Sequence, residues 1–161
     1  MSSMRAKTAM WVFATACSAA VVFGAVQNAS MTDARGEQIL NQSCTGCHEL
    51  RNIETQALDK DGWSKEVNTM IERGSTVKTE DVSGFVDYLV RKHGPLPEGA
   101  GKKIMLNECT LCHDLERIRM TPADRDEWEQ TLLAMQNEGA TISDDDFRVL
   151  LNYLARNFGP K

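Results

Sequence analysis

The segment CTGCH at residues 44–48 recurs 65 positions later as CTLCH at residues 109–113. The recurrence extends well beyond these two short motifs. Residues 36–95 align with residues 101–160 without a gap, and 20 of the 60 aligned positions are identical. A period of this length indicates a repeated structural unit. Because there are only two copies, the pattern predicts a tandem pair rather than a solenoid.

The apolar residues of each unit recur at the spacing of an α-helix. The clearest stripe consists of Trp63, Val67, Met70 and Ile71. These residues fall at positions i, i+4, i+7 and i+8, which predicts an amphipathic helix. In the second unit, Thr121-Pro122-Ala123-Asp124 predicts the start of the corresponding helix, with Pro122 in its first position. Ser143 and the three aspartates after it predict the charged first turn of the last helix. No alternating strand pattern competes, so the predicted fold class is all-α.

The first thirty residues have the composition of an export signal. Arg5 and Lys7 precede an uncharged and largely apolar run over residues 8–26. This order is typical of a secretory signal peptide, and the run is also long enough to span a bilayer. We therefore expect residues 1–30 to be a cleaved signal peptide or a retained anchor helix. Either outcome places the remainder in the periplasm or another extracytoplasmic compartment, anchored to the inner membrane by residues 8–26 if the segment is retained.

These features divide the chain into four segments. They are the signal or anchor segment 1–30, a first unit 31–95, a linker 96–101 and a second unit 102–161. The linker is short and rich in turn-forming residues. A unit of about 65 residues buries too little apolar surface to be comfortably stable alone. We therefore expect a bound group in the middle of each unit.

The repeated C-x-x-C-H motif is the signature of covalent c-type haem attachment. Its four cysteines are Cys44, Cys47, Cys109 and Cys112. Two cysteines three positions apart on a helical turn can reach the two vinyl groups of a haem as thioethers, and the next histidine can bind the iron. We therefore predict two covalently bound haem c groups, with His48 and His113 as the proximal iron ligands. A thiol-redox pair, a disulfide or a zinc site explains the repetition and the shared methionines less well.

The second axial ligand of each iron is predicted from the repeat. Met70 and Met135 are the only methionines that occupy equivalent positions in the two units. Methionine usually completes the coordination of a high-potential c-type haem, although both residues also fit as core residues of their helices. His93, which aligns with Phe158, is the alternative distal ligand of the first haem. Otherwise, it is a solvated histidine at a helix C-terminus.

Two pairs of aromatic residues are also repeated. Trp63 and Trp128 either pack on the haem or hydrogen-bond a propionate, or they are ordinary core residues. Tyr88 and Tyr153 are predicted to pack between helices rather than to bind iron, because tyrosine ligation is associated with catalase-like chemistry.

The succession of these motifs resembles a known family. C-x-x-C-H followed by a tryptophan, a methionine seven residues after it, Tyr-Leu and Gly-Pro is similar to a class I cytochrome c unit. A narrower resemblance, to the di-haem domain of quinohaemoprotein amine dehydrogenase α subunits, is carried by Arg117-Ile118, Thr121-Pro122, Trp128, Met135, Gly139 and Tyr153-Leu154. It covers roughly residues 34–160 and implies two tandem class I cytochrome c-like units that relay electrons. It does not reach the quinone-bearing subunits, so amine oxidation is not implied.

The charge of the chain excludes nucleic acid as a partner. Residues 30–161 contain 16 Lys and Arg against 23 Asp and Glu, a net charge of −7, and therefore lack a basic footprint. We expect a non-enzymatic di-haem cytochrome c that transfers single electrons. Its donor would be an extracytoplasmic protein such as a dehydrogenase, and its acceptor an oxidase or another cytochrome. The alternatives are a haem subunit of a larger dehydrogenase complex and a small di-haem peroxidase or reductase.

Overall fold

A computed structural model describes residues 30–161. Residues 1–29 of the predicted signal or anchor segment, which covers residues 1–30, lie outside the described residues. Residues 30–161 form eight α-helices and two short 3-10 helices, with no strand. The predicted all-α class is therefore confirmed for this part of the chain. None of these helices has both the length and the apolar character needed to cross a membrane.

The helices repeat with the sequence. The first unit contains α1 (Asp33–Ser43), α2 (Arg51–Glu54), α3 (Lys60–Glu72) and α4 (Val82–His93). The second unit contains α5 (Ala100–Glu108), α6 (Leu115–Arg119), α7 (Arg125–Asn137) and α8 (Asp144–Asn157). The 3-10 helices cover Thr79–Asp81 and Cys109–Leu111. Helices α3 and α7 correspond residue for residue under the 65-residue shift, so the repeat in sequence is also a repeat in structure.

An aspartate at equivalent positions begins α3 and α7. Asp59 accepts a hydrogen bond from the backbone N–H of Gly62 at 2.8 Å, and Asp124 accepts one from the backbone N–H of Glu127 at 2.9 Å. The Glu127 carboxylate in turn accepts the backbone N–H of Asp124, which completes a capping box. The prediction that Pro122 is the first residue of this helix is wrong, because the capping box starts the helix after Asp124.

The first and last helices of each unit cross at a glycine. A Cβ atom on Gly36 would lie 2.2 Å from Cγ of Tyr88, and a Cβ atom on Gly101 would lie 2.3 Å from Cβ of Tyr153. No side chain fits at that separation, which explains why both residues are glycine. Both tyrosines are buried, so their predicted role in helix packing is confirmed.

A tryptophan ties the long middle helix to the end of the last helix in each unit. The indole N–H of Trp63 donates to the carbonyl oxygen of His93 at 3.1 Å, and that of Trp128 donates to the carbonyl oxygen of Phe158 at 3.2 Å. These bonds satisfy both buried indole groups. Both tryptophans belong to the core of their unit, and neither indole N–H is free for a propionate, while Trp63 also lines the first cavity.

The last helix starts as the sequence predicts. Ser143 precedes α8, and its hydroxyl accepts the backbone N–H of Asp146 at 3.2 Å. The three aspartates occupy the first turn, where negative charge opposes the positive end of the helix dipole.

The two units pack against each other through the linker. Leu96 is buried in the core of the second unit. The Tyr153 hydroxyl donates to the carbonyl oxygen of Pro97 at 2.7 Å, and the Arg119 guanidinium donates to the carbonyl oxygen of Gly94 at 2.5 Å. Residues of the second unit therefore hold the segment that leaves α4.

Candidate haem sites

The first candidate site is a cavity of about 610 Å³ within the first unit. Its wall includes Cys44, Cys47 and His48 from the C-x-x-C-H segment, and Met70 lies in the same wall. The remaining wall is largely apolar, with Val67, Phe85 and Leu89 among its members. The structure thus brings together the two thiols, the imidazole and the thioether that the sequence predicts for this site.

The imidazole of His48 has one of its two nitrogens engaged. Its Nδ1 lies 3.0 Å from the carbonyl oxygen of Glu49. A carbonyl oxygen can only accept, so Nδ1 is the donor in this contact, and Nε2 is the nitrogen left to bind a metal. A hydrogen bond of this kind is the usual way in which proteins orient a metal-binding histidine.

The second candidate site repeats this arrangement in a smaller cavity of about 190 Å³. Cys109, Cys112, His113 and Met135 all line it. The Nε2 atom of His113 lies 3.4 Å from the Sδ atom of Met135. The two predicted axial donor atoms are therefore in contact with each other in this cavity.

A helix-ending turn fixes each methionine near the C-terminus of its helix. The carbonyl oxygen of Met70 accepts the backbone N–H of Ser75, and that of Met135 accepts the backbone N–H of Ala140, each at 2.9 Å. The intervening glycines, Gly74 and Gly139, have φ angles of 102° and 106°. This is the Schellman motif, which requires a left-handed residue that glycine supplies without strain. The repeated Met-x-x-x-Gly spacing is thereby explained.

The threonine of each C-T-x-C-H segment anchors the start of the loop. The Thr45 hydroxyl donates to the carbonyl oxygen of Asn41 at 2.6 Å, and the Thr110 hydroxyl donates to that of Leu106 at 2.5 Å. Each bond reaches back four residues and satisfies a carbonyl of the helix end that precedes the loop.

The first cysteine of each motif is partly buried and its thiol is hard to ionise. Burial raises the pKa of Cys109 to about 11 and also raises the pKa of Cys44. The reactive cysteine of a thiol-redox pair needs a lowered pKa, so these shifts run against that alternative. Cys47 and Cys112 are exposed, and all four thiols are free.

His93 lies away from the first cavity. It is only 8% exposed, and its ring packs edge-on against Trp63 with ring centres 6.2 Å apart. Burial lowers the pKa of His93, and the nearby Glu116 carboxylate partly opposes this effect. The expectation of a solvated His93 is wrong, because the second unit covers this end of α4. Met70, not His93, is the candidate distal ligand that lines the cavity.

The linings of the two cavities differ in charge at equivalent positions. Ser43 and Arg73 line the first cavity, whereas Glu108 and Glu138 line the second. Leu111, which also lines the second cavity, is 67% exposed. The second cavity is therefore lined by two acidic residues and by an exposed apolar residue.

One contact between the units is not suggested by any motif. The Nη2 atom of Arg51 donates to the carbonyl oxygens of Thr110 and Leu111 at 2.5 and 2.6 Å. Arg51 aligns with Glu116 in the second unit. This difference in charge between equivalent positions is the only feature of the sequence that relates to the contact.

Comparisons with known protein families, curated proteins and solved structures find no match for this chain. Within residues 30–161, no three His, Cys, Asp or Glu side chains converge as a metal site. The resemblance to class I cytochromes c therefore stays a prediction from the motifs. The donor sets nevertheless fit a covalently held haem, since each cavity combines two accessible thiols with a histidine and a methionine.

Proposed function

We propose that this protein is a di-haem c-type cytochrome that carries single electrons. The observation that supports this most is that His113 Nε2 and Met135 Sδ lie together, 3.4 Å apart, in a cavity that the two cysteines of a C-x-x-C-H motif also line. The four equivalent residues line the larger cavity of the first unit. Two such sites in one chain suit a relay.

Each set of residues has a distinct task in this proposal. Cys44 and Cys47 hold the first haem, and Cys109 and Cys112 hold the second, through thioether bonds. A bound haem supplies a one-electron iron couple. The histidine and the methionine of each site would both bind the iron and exclude other ligands, which leaves electron transfer as the chemistry of the site. The apolar wall lowers access of water and thereby favours a high potential.

The proposed setting is extracytoplasmic, because covalent haem attachment and the apolar run over residues 8–26 both point there. The proposed donor is a dehydrogenase, and the proposed acceptor is an oxidase or another cytochrome. Since residues 30–161 carry a net charge of −7, at least one of these partners should present a basic surface. A permanent haem subunit would differ from a free carrier by purifying in stable complex with the dehydrogenase.

Near-infrared magnetic circular dichroism of the oxidised protein tests the proposed ligands. The expected spectrum contains two histidine–methionine signals, one of which is lost in Met70→Ala and the other in Met135→Ala. Met105→Leu is the matched control, because Met105 is fully buried in the second core and lines neither cavity. A bis-histidine signal would implicate His93. A high-spin signal would contradict the carrier proposal and favour an enzyme with an open iron position.

A further inference from the structure

A single arginine connects the two candidate haem sites. Arg51 begins α2, and the residues that follow it on this helix, Asn52 and Ile53, line the first cavity. Its guanidinium reaches the other unit and donates to the carbonyl oxygens of Thr110 and Leu111. These two residues lie between the cysteines of the second C-x-x-C-H motif. One short helix thus contacts both sites.

Two backbone N–H groups at the end of the loop that Arg51 contacts share one acceptor. The N–H groups of Cys112 and His113 both donate to the carbonyl oxygen of Cys109, at 3.4 and 3.0 Å. The first of these distances is long for an N–H···O bond. The Nη2 atom of Arg51 donates to both successive carbonyl oxygens, and the rigid plane of the guanidinium holds its N–H groups in place, so Arg51 can fix the loop.

The contact is made in one direction only. Glu116 occupies the place of Arg51 in the second unit, and a carboxylate cannot donate to carbonyl oxygens. Among residues 30–161, no side chain of the second unit donates to the loop at residues 44–48. The first loop therefore serves as an internal reference for the second.

We propose that Arg51 is a positioning residue that holds the second haem-attachment loop and raises the potential of the second haem. This inference rests on the proposed function. The charge of Arg51 is permanent, and a positive charge near a haem stabilises the reduced form, which carries one positive charge less than the oxidised form. Arg51 thus offsets the negative charge of Glu108 and Glu138, which line the second cavity, and it ties the geometry of the second site to the first unit.

Three variants of the haem-loaded protein separate the two effects. Arg51→Gln removes the charge and shortens the side chain, and Arg51→Lys keeps the charge without the planar guanidinium. Arg117→Gln is the matched control, because Arg51 and Arg117 both line one cavity between the two units, but the side chain of Arg117 donates to no carbonyl of the loop. Redox titration measures the two potentials, and the second haem is identified as the one that shifts in Met135→Ala. Amide hydrogen exchange at Cys112 and His113, compared with Cys47 and His48, measures the order of each loop.

Arg51→Gln should lower the potential of the second haem by roughly 30–60 mV, which corresponds to about a threefold to tenfold change in its oxidation equilibrium. The potential of the first haem should be unchanged. Arg51→Gln should also accelerate exchange at Cys112 and His113 only. Arg51→Lys should show the same faster exchange but have a second-haem potential close to that of the wild type. Arg117→Gln should leave the exchange at both residues unchanged. Wild-type exchange in Arg51→Gln, or equal acceleration in both loops, would overturn the proposal, as would an unchanged potential of the second haem in Arg51→Gln. If the protein carries no covalent haem, the proposed function fails, whereas the exchange comparison still reports on the Arg51 contact.

Discussion

Replacing Gly101 by alanine tests the closest helix crossing in the second unit. The added Cβ atom would lie 2.3 Å from Cβ and 2.7 Å from Cγ of Tyr153. These are atoms at the base of the tyrosine side chain, so rotation of the ring cannot relieve the contact and the two helices must separate. Overpacking of this kind costs about 1–3 kcal/mol. Separation would also strain the bond from the Tyr153 hydroxyl to Pro97, which contributes about 1 kcal/mol.

Alanine has a better helix propensity than glycine, by about 1 kcal/mol at most. We therefore expect Gly101→Ala to lower the free energy of unfolding by about 1–3 kcal/mol, and the melting temperature by about 4 °C for each kcal/mol in a chain of this size. Denaturant and thermal unfolding of the haem-loaded protein measure both quantities.

Gly46→Ala is the matched control for this prediction. No atom lies within 4 Å of a Cβ at Gly46, its φ angle is not positive, and the equivalent residue in the second loop is Leu111. The control should therefore be neutral within about 0.5 kcal/mol. If Gly101→Ala is as stable as Gly46→Ala, the helices are not in the close contact from which the cost was derived.

Three further variants test the ligands, the tryptophan bond and the buried histidine. Met135→Ala should lower the potential of one haem by well over the roughly 59 mV of a tenfold equilibrium change and leave the other almost unchanged; two unchanged potentials would show that Met135 is not a ligand. Trp128→Phe should destabilise the protein by about 0.5–1.5 kcal/mol, because the carbonyl oxygen of Phe158 loses the indole N–H and keeps only the backbone N–H of Ala123, and a neutral result would argue against the indole bond. Because burial lowers the pKa of His93, its contribution to stability should be complete above the unfolded value of about 6.5 and should be lost as the pH falls below it. His93→Phe, which introduces the residue found at the equivalent position, should flatten this dependence in denaturant unfolding measured from pH 8 to pH 5, and an unchanged slope would contradict it.

The sequence predicts local structure well in this protein because most of the informative sequence patterns occur in both units. The tyrosine packing and the charged first turn of α8 follow from spacing and residue type alone. The start of α7 is the local exception. Pro122 and Asp124 both carry helix-start signals, and only the reciprocal bond with Glu127 shows which of them begins the helix.

Contacts between the units are beyond what the sequence can predict. The spacing places His93 at a helix end, and only the packing of the second unit shows that this end is buried. Arg51 belongs to no motif, and its partners are backbone carbonyl oxygens about 60 residues away, which any sequence provides. The candidate sites were predictable because the residue types alone define their donor atoms. The contact of Arg51 between the two sites depends on how the units pack, which the residue types do not define.

The central claim is that each C-x-x-C-H motif holds one haem covalently. Intact mass spectrometry under denaturing conditions tests this most directly, on protein produced in cells that export and attach c-type haem. The wild-type chain should carry the mass of two haems, and the Cys109→Ser/Cys112→Ser variant should carry one. A chain without added mass, or a haem that separates from it on denaturation, would contradict the account.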